Sequence, residues 1–220
     1  MSTLTLGIDD AGRGPVIGNM ILAGVVLTHA QEALLKEEGV ADSKLLTHPK
    51  RVELAKIIEK HNHGHFIVSL TATEIDSSLL SGTNLNTLEA KAMAQIINKI
   101  GKKGMAVVVD CPSVNIDNWR KTLISFVDKA DEMDIVCEHK ADANHVSVSA
   151  ASILAKVERE KSIEKLKKQY GDFGSGYPSD PKTKDFLFEK GQKLANSGLF
   201  RKTWATWKAI FPSVEQKKLF

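Results

Sequence analysis

The chain has 220 residues, of which 42% are hydrophobic and 26% charged, and a formal net charge of +3. That is the composition of a soluble protein long enough to bury a substantial core. Two cysteines exclude a disulfide scaffold and fit a reducing cytosol, no apolar run reaches bilayer length, and no signal-peptide pattern opens the chain, so a cytoplasmic protein is expected. The mildly basic balance is compatible with nucleic acid without selecting it, because lysines such as Lys161, Lys165, Lys167 and Lys168 suit a solvated helix face.

Residues 3–9 read as a buried strand and 20–28 as a second. The short connection through Pro15 and Gly18 favours antiparallel pairing. Residues 31–38 read as a short helix. A second helix over 47–61 takes Thr47 as N-cap and carries Pro49 in its first turn. A third strand covers 66–71. Residues 85–100 form a strongly periodic helix ended by Gly101. A fourth strand, 105–110, ends on Asp110, a helix follows over 118–129, and a short fifth strand spans 134–138. A long helix is expected over 144–170, then a rigid turn at 174–178, then helices over 180–197 and 204–211. Three strands able to pair antiparallel, followed by two separated by helices, give a mixed α/β sheet whose late crossover is right-handed and parallel.

The tip of the first strand reads Gly7-Ile8-Asp9-Asp10-Ala11-Gly12-Arg13-Gly14. Carboxylates are hard ligands for Mg²⁺ or Mn²⁺. A glycine-rich turn lets backbone N–H groups approach a phosphate, and an arginine grips it. Further acids stand at Asp110, the end of the fourth strand, and at Asp142, just before the long helix. In α/β sheets, sites form beyond strand ends; if the first and fourth strands are parallel neighbours, Asp9 and Asp110 face one spot that Asp142 can reach. Adjacent strand residues point to opposite faces, so Asp9 and Asp10 share a site only if the strand ends or twists there, which Gly12 and Gly14 permit. Clustered carboxylates repel and call for cations, and two ions roughly 3.5–4 Å apart suit in-line displacement at phosphorus. Taken singly, each acid is better explained by a helix cap or a strand-end turn.

Other residues carry less. His61, His63 and His65 alternate without an acid or cysteine partner and read as surface histidines. Ser147, Ser149, Ala150, Ala151 and Ser152 are small, which lets the long helix pack close to the sheet. Lys140 and Lys156 flank the acids and balance their charge. Arg201, Lys202 and Trp204 are candidate contacts to duplex DNA, although Trp204, Trp207 and Phe211 have the helical spacing of a core, the reading that fits the aromatics better. Cys111 and Cys137 read as buried thiols on neighbouring strands.

Taken together, GIDDAGRGPVIG, the DSK at 42–44, VVVDCP ending on Asp110, HKADANHVSVSAASILAKVER and GSGYPSDP resemble type 2 ribonuclease H, most closely the archaeal single-domain form, over nearly the whole chain. The resemblance implies an RNase H-like mixed five-stranded sheet flanked by helices (1–170) with a helical C-terminal extension (171–220). It implies cleavage of RNA in RNA–DNA hybrids and incision 5′ of a ribonucleotide embedded in duplex DNA, leaving 3′-hydroxyl and 5′-phosphate ends. It implies Asp9, Asp10, Asp110 and Asp142 as metal-binding catalytic acids, with two Mg²⁺ or Mn²⁺ ions when substrate is bound. The backbone of Gly12, Arg13 and Gly14 would recognise the ribose 2′-OH and its phosphate, Tyr177 would pack on the sugar at the junction, and Lys44 would meet the nucleic-acid backbone. The 2′-OH is the group that separates RNA from DNA. One departure stands out: Asp10 occupies a position where the family usually carries glutamate, which retracts the carboxylate by about 1.5 Å. Competing readings are an RNase H-like DNA nuclease, which needs no 2′-OH reader, and a non-catalytic nucleic-acid-binding relative, against which the four retained carboxylates argue. The protein is expected to act as a monomer. A sliding-clamp contact through residues 213–220, which end in Gln216-Lys217-Lys218-Leu219-Phe220, is a weaker expectation, because the spacing is imperfect and a frayed terminus is the simpler reading.

Overall fold

A computed structural model describes residues 4–40 and 46–212. Lys44 and the candidate clamp-binding tail therefore lie outside the described residues. β2 (Met20–Thr28) is buried along all but its last residue, as its nearly unbroken apolar sequence requires of an interior strand. It lies between β1 (Leu4–Ala11) and β3 (Gly64–Leu70), and the sheet continues through β4 (Ala106–Asp110) and β5 (Asp134–Glu138) in the order β3-β2-β1-β4-β5. β1 runs antiparallel to β2, with Asp10 opposite Leu22. It runs parallel to β4, with Ile8 opposite Val109, and β4 runs parallel to β5, with Asp110 opposite Glu138. The expected mixed five-stranded sheet is the observed one, and its parallel members carry acids at or near their ends.

Nine α-helices lie among the described residues. α1 (His29–Glu37) starts two residues earlier than expected, because Thr28 and Gln31 form a capping box. α2 (His48–His61) starts after Thr47, whose side chain makes no cap hydrogen bond. α3 (Ala72–Leu80) has no counterpart in the sequence reading. Thr71 and Glu74 cap it reciprocally, and it buries only Ala72, Ile75 and Asp76. α4 (Leu85–Ile100) has its expected bounds. α5 (Ile116–Ile124) is displaced toward the N-terminus because Asn115 accepts the Asn118 N–H. α6 (Ala141–Asn144) is a single turn, and α7 (Val146–Tyr170) begins after an extended His145, two residues later than expected. α8 (Pro181–Lys190) is capped by Asp180 and stops seven residues short of the expected end, and α9 (Ala205–Ile210) follows Trp204.

The chain forms two compact units. The first comprises 1–11, 21–69 and 85–158, and the second 12–20, 70–84 and 159–220. In the first, Ile21, Ala23, Val25 and Leu27 of β2 pack with Leu54 and Ile58 of α2 and with Ala150, Ile153 and Leu154 of α7. In the second, Val16, Ile17, Phe173, Phe186 and Phe200 share one core cluster with Trp207, whose ring centroid is 4.8 Å from that of Phe200 and 4.5 Å from that of Phe211. The helical spacing of Trp207 and Phe211 therefore marks a core. No described helix is long and apolar enough to cross a membrane.

Candidate active site

In the first unit, one step beyond the Ile8–Val109 pair brings Asp9 level with Asp110 across two parallel strands. Asp9 is 5% exposed, and its Oδ1 accepts the Asp10 N–H at 2.7 Å. Asp110 Oδ1 accepts the Ala141 N–H at 2.7 Å. That bond pins the first residue of α6, where Lys140 turns the chain through a left-handed conformation (φ 57°). The next residue is Asp142, 2% exposed. Burial pushes the Asp9 carboxyl well above its usual pKa, and the neighbouring Asp10 and then Asp110 raise it further. A hydrogen bond from the Ser152 side chain and the Asp10 amide oppose the rise. Lys156 Nζ in turn donates to Ser152 Oγ at 2.9 Å, so one hydroxyl links the lysine to Asp9. Ser152 therefore contributes to the site as well as to packing, a role its small size concealed.

A desolvated carboxylate crowded by two others is the arrangement a divalent cation relieves. Among the described residues no three acidic, histidine or cysteine side chains stand close enough to chelate one ion together. Mg²⁺ is ordinarily bound through one or two carboxylates, with water and substrate phosphate completing its octahedron, and paired ions share their ligands. Pairs drawn from these acids suit that donor set. The sulfur groups do not enter it: Cys111 and Cys137 are both buried and unbridged, and burial with Cys111 nearby pushes the Cys137 thiol up to about 12. His145 Nε2 pairs with Glu138 Oε2 at 2.9 Å, and His139 Nδ1 lies 3.2 Å from Cys111 O. His63 and His65 are exposed.

The second unit holds the glycine-arginine-glycine turn and Tyr177 together. Gly12 has φ +85°, and a Cβ there would meet Arg159 Cδ at 2.7 Å and Asn19 O at 2.9 Å, so both conformation and space require glycine. A Cβ on Gly14 would lie 3.6 Å from Tyr177 Cε1. The Arg159 guanidinium stacks 5.0 Å from the Tyr177 ring centroid and donates to Ser175 O at 3.0 Å. Its Nε is buried without a partner, and burial lowers its pKa. Thr183 Oγ1 receives the Gly176 N–H at 3.0 Å, and Val16 N–H reaches Gly176 O at 2.9 Å, which fixes the approach to Tyr177. Arg201, a candidate DNA contact by sequence, is fully buried and binds main-chain carbonyls instead. Its partners lie nearly the length of the chain away, beyond the reach of any local signal.

The sheet order, with acids at the ends of its parallel strands, defines the RNase H-like class. A family model described as Ribonuclease HII matches residues 6–207. The Ribonuclease HII of Pyrococcus furiosus is 44% identical over 214 residues, covering 96% of this chain and 93% of the relative. Among solved structures, the ribonuclease H2 from Pyrococcus horikoshii OT3 superposes with a TM-score of 0.86 at 36% identity, over 94% of this chain and 97% of that one. The RNase HII of Archaeoglobus fulgidus, solved in complex with PCNA, superposes at 0.81 with 36% identity, over 91% and 95%. The chain belongs to the ribonuclease HII family. It is an endoribonuclease of the ribonuclease H type, acting on RNA–DNA hybrids.

Proposed function

We propose that this enzyme also incises duplex DNA on the 5′ side of an embedded ribonucleotide, leaving 3′-hydroxyl and 5′-phosphate ends. In this reading Asp9, Asp10, Asp110 and Asp142 hold two Mg²⁺ or Mn²⁺ ions. The observation that carries it is the buried Asp9 carboxyl crowded by Asp10 and Asp110 at the ends of parallel strands. Two such ions, held by these acids, would polarise the phosphate and activate water at neutral pH. The protein's part is positioning and electrostatics. The Ala141 amide fixes the Asp110 carboxylate, and the Ser152 hydrogen bond favours ionised Asp9. Asp10, one methylene shorter than the family's usual glutamate, would reach its ion through water or by a shift of the backbone toward it. Arg13 grips the phosphate of the ribonucleotide, the backbone of Gly12, Arg13 and Gly14 binds the 2′-OH, and Tyr177, stacked on Arg159, packs on the sugar that follows. Lys44 adds a backbone contact. Residues 213–220 provide a clamp-binding tail, a reading supported by the relative solved with PCNA.

The test is cleavage of a DNA duplex holding one ribonucleotide, with an all-DNA control, in Mg²⁺, Mn²⁺ and chelator. A metal-dependent cut just 5′ of the ribonucleotide, absent from the control and from Asp110→Asn, is expected. Cleavage of the all-DNA control would favour a general DNA nuclease, and folded protein that binds without cutting would favour a binding relative. Deleting residues 213–220 should weaken PCNA binding and leave cleavage of short duplexes unchanged.

A further inference from the structure

Each of the three carbonyls of the 12–14 turn is held from within the second unit. Arg201, fully buried, donates Nη2–H to Gly12 O at 2.6 Å and Nη1–H to Arg13 O at 2.8 Å, and its Nε–H reaches Gly18 O at 3.0 Å. Trp204 donates Nε1–H to the third carbonyl, Gly14 O, at 3.0 Å. The Arg201 guanidinium carbon lies 4.9 Å from the centroid of the Trp204 ring. Asp76 anchors the intervening backbone, accepting the Lys202 N–H at 2.6 Å and the Thr203 N–H at 3.0 Å.

A buried guanidinium is unfavourable unless fully hydrogen-bonded, and an apolar side chain would fill the same volume, so three bonds to loop carbonyls call for a reason beyond packing. Peptide geometry supplies it. No described peptide bond is cis, and in a trans peptide the C=O and the following N–H point in opposite directions. Turning the Gly12 and Arg13 carbonyls toward Arg201 therefore turns the N–H groups of Arg13 and Gly14 away from it, side by side. The third carbonyl precedes Pro15, which has no N–H to present. Two backbone donors aimed in parallel make a concavity suited to an anion or a hydroxyl oxygen.

The geometry points to Arg201 and Trp204 as positioning residues for ribose selection: they latch the carbonyl side of the turn so that the Arg13 and Gly14 amides stay aimed at the 2′-OH and its phosphate. The inference rests on the proposed reading of this turn as the ribose contact. Neither residue touches substrate; both act through the loop.

The experiment compares Trp204→Phe and Arg201→Lys with the unaltered protein. It reads the ¹⁵N order parameters of Arg13 and Gly14, and KM and kcat on the single-ribonucleotide duplex in Mg²⁺. Trp204→Phe keeps an aromatic ring to face Arg201 while removing the indole N–H donor and part of the ring, so it serves if Arg201→Lys fails to fold. Order parameters are expected to fall from the rigid range near 0.85 toward 0.6. KM should rise roughly fivefold for Trp204→Phe, the factor set by one neutral hydrogen bond, and further for Arg201→Lys. kcat should stay within about twofold, since the loop binds ground and transition states alike. Unchanged order parameters in Trp204→Phe would overturn the latch. Lost order with unchanged KM would leave the latch standing and remove the turn as the ribose contact.

Discussion

Replacing Gly7 with alanine tests the packing beneath the carboxylates. A Cβ at Gly7 would lie 2.1 Å from the Ser147 carbonyl carbon and 2.2 Å from Val148 N. Both are backbone atoms at the start of α7 and have no rotamer with which to yield. Reaching the 3.4 Å of ordinary contact requires the helix to retreat by about 1.3 Å, and gaps of even 0.5–1 Å forfeit about a quarter to a half of each dispersion contact. Overpacking of side chains costs roughly 1–3 kcal/mol, and with backbone as the neighbour the upper end applies, about 3 kcal/mol or more. For a chain of this size that is a fall in Tm of roughly 6–12 °C, measurable by circular dichroism and by the urea midpoint. Asp142 stands four residues before α7, so the same retreat carries it along, and a misplacement of that order costs roughly a hundredfold in cleavage rate. A loss under about 1 kcal/mol with full activity would refute the close approach of α7 to β1.

Asp110→Asn should keep the fold, because an amide oxygen can still accept the Ala141 N–H, while lowering the cleavage rate at least roughly a hundredfold, since bound cations contribute several kcal/mol; a stopped-flow or gel time course reads it. Asp10→Glu lengthens the carboxylate's reach and should lower the Mg²⁺ concentration giving half-maximal rate; an unchanged metal titration would remove the water-mediated role of Asp10. Asp172 sits at about 2, against 3.8 ordinarily, held down first by its hydrogen bond from Lys182 and then by the Gly174 amide. A depressed carboxyl favours the fold above its unfolded pKa, so its contribution is lost as pH falls from about 4 through 2. In Asp172→Asn, acid unfolding over that window should be shallower than in the unaltered protein.

The strands were legible as short runs rich in apolar residues, two of them, β4 and β5, closing on an acid, and the run 134–138 has its read bounds. Periodicity likewise placed α4. It failed for α3, which buries three residues on one face, although Thr71 and Glu74 spell out a capping box. It misplaced the start of α7 because His145 is drawn into extended backbone beside Glu138, a pairing made by the end of β5. The acids were readable as strand ends. Ser152 was not, since a serine on a small-residue helix face carries no sign of a hydrogen bond to Asp9. Arg201 was read as a surface cation because nothing near it in the chain announces the carbonyls it binds.

Those carbonyls have a consequence for the order in which the protein is assembled during translation. Gly12 and Arg201 are 189 residues apart. At ribosomal rates of about 5–20 residues per second, the turn waits roughly 10–40 s for its partner to be made. All of the sheet's own unit has been synthesised by Glu158, so the strands can pair while residues 12–20 still lack the aromatic cluster and the guanidinium that shape them. A chain interrupted between Glu158 and Arg201 would carry Asp9, Asp10, Asp110 and Asp142 but lack the side chains that hold the carbonyls of residues 12–14, so that turn is completed last.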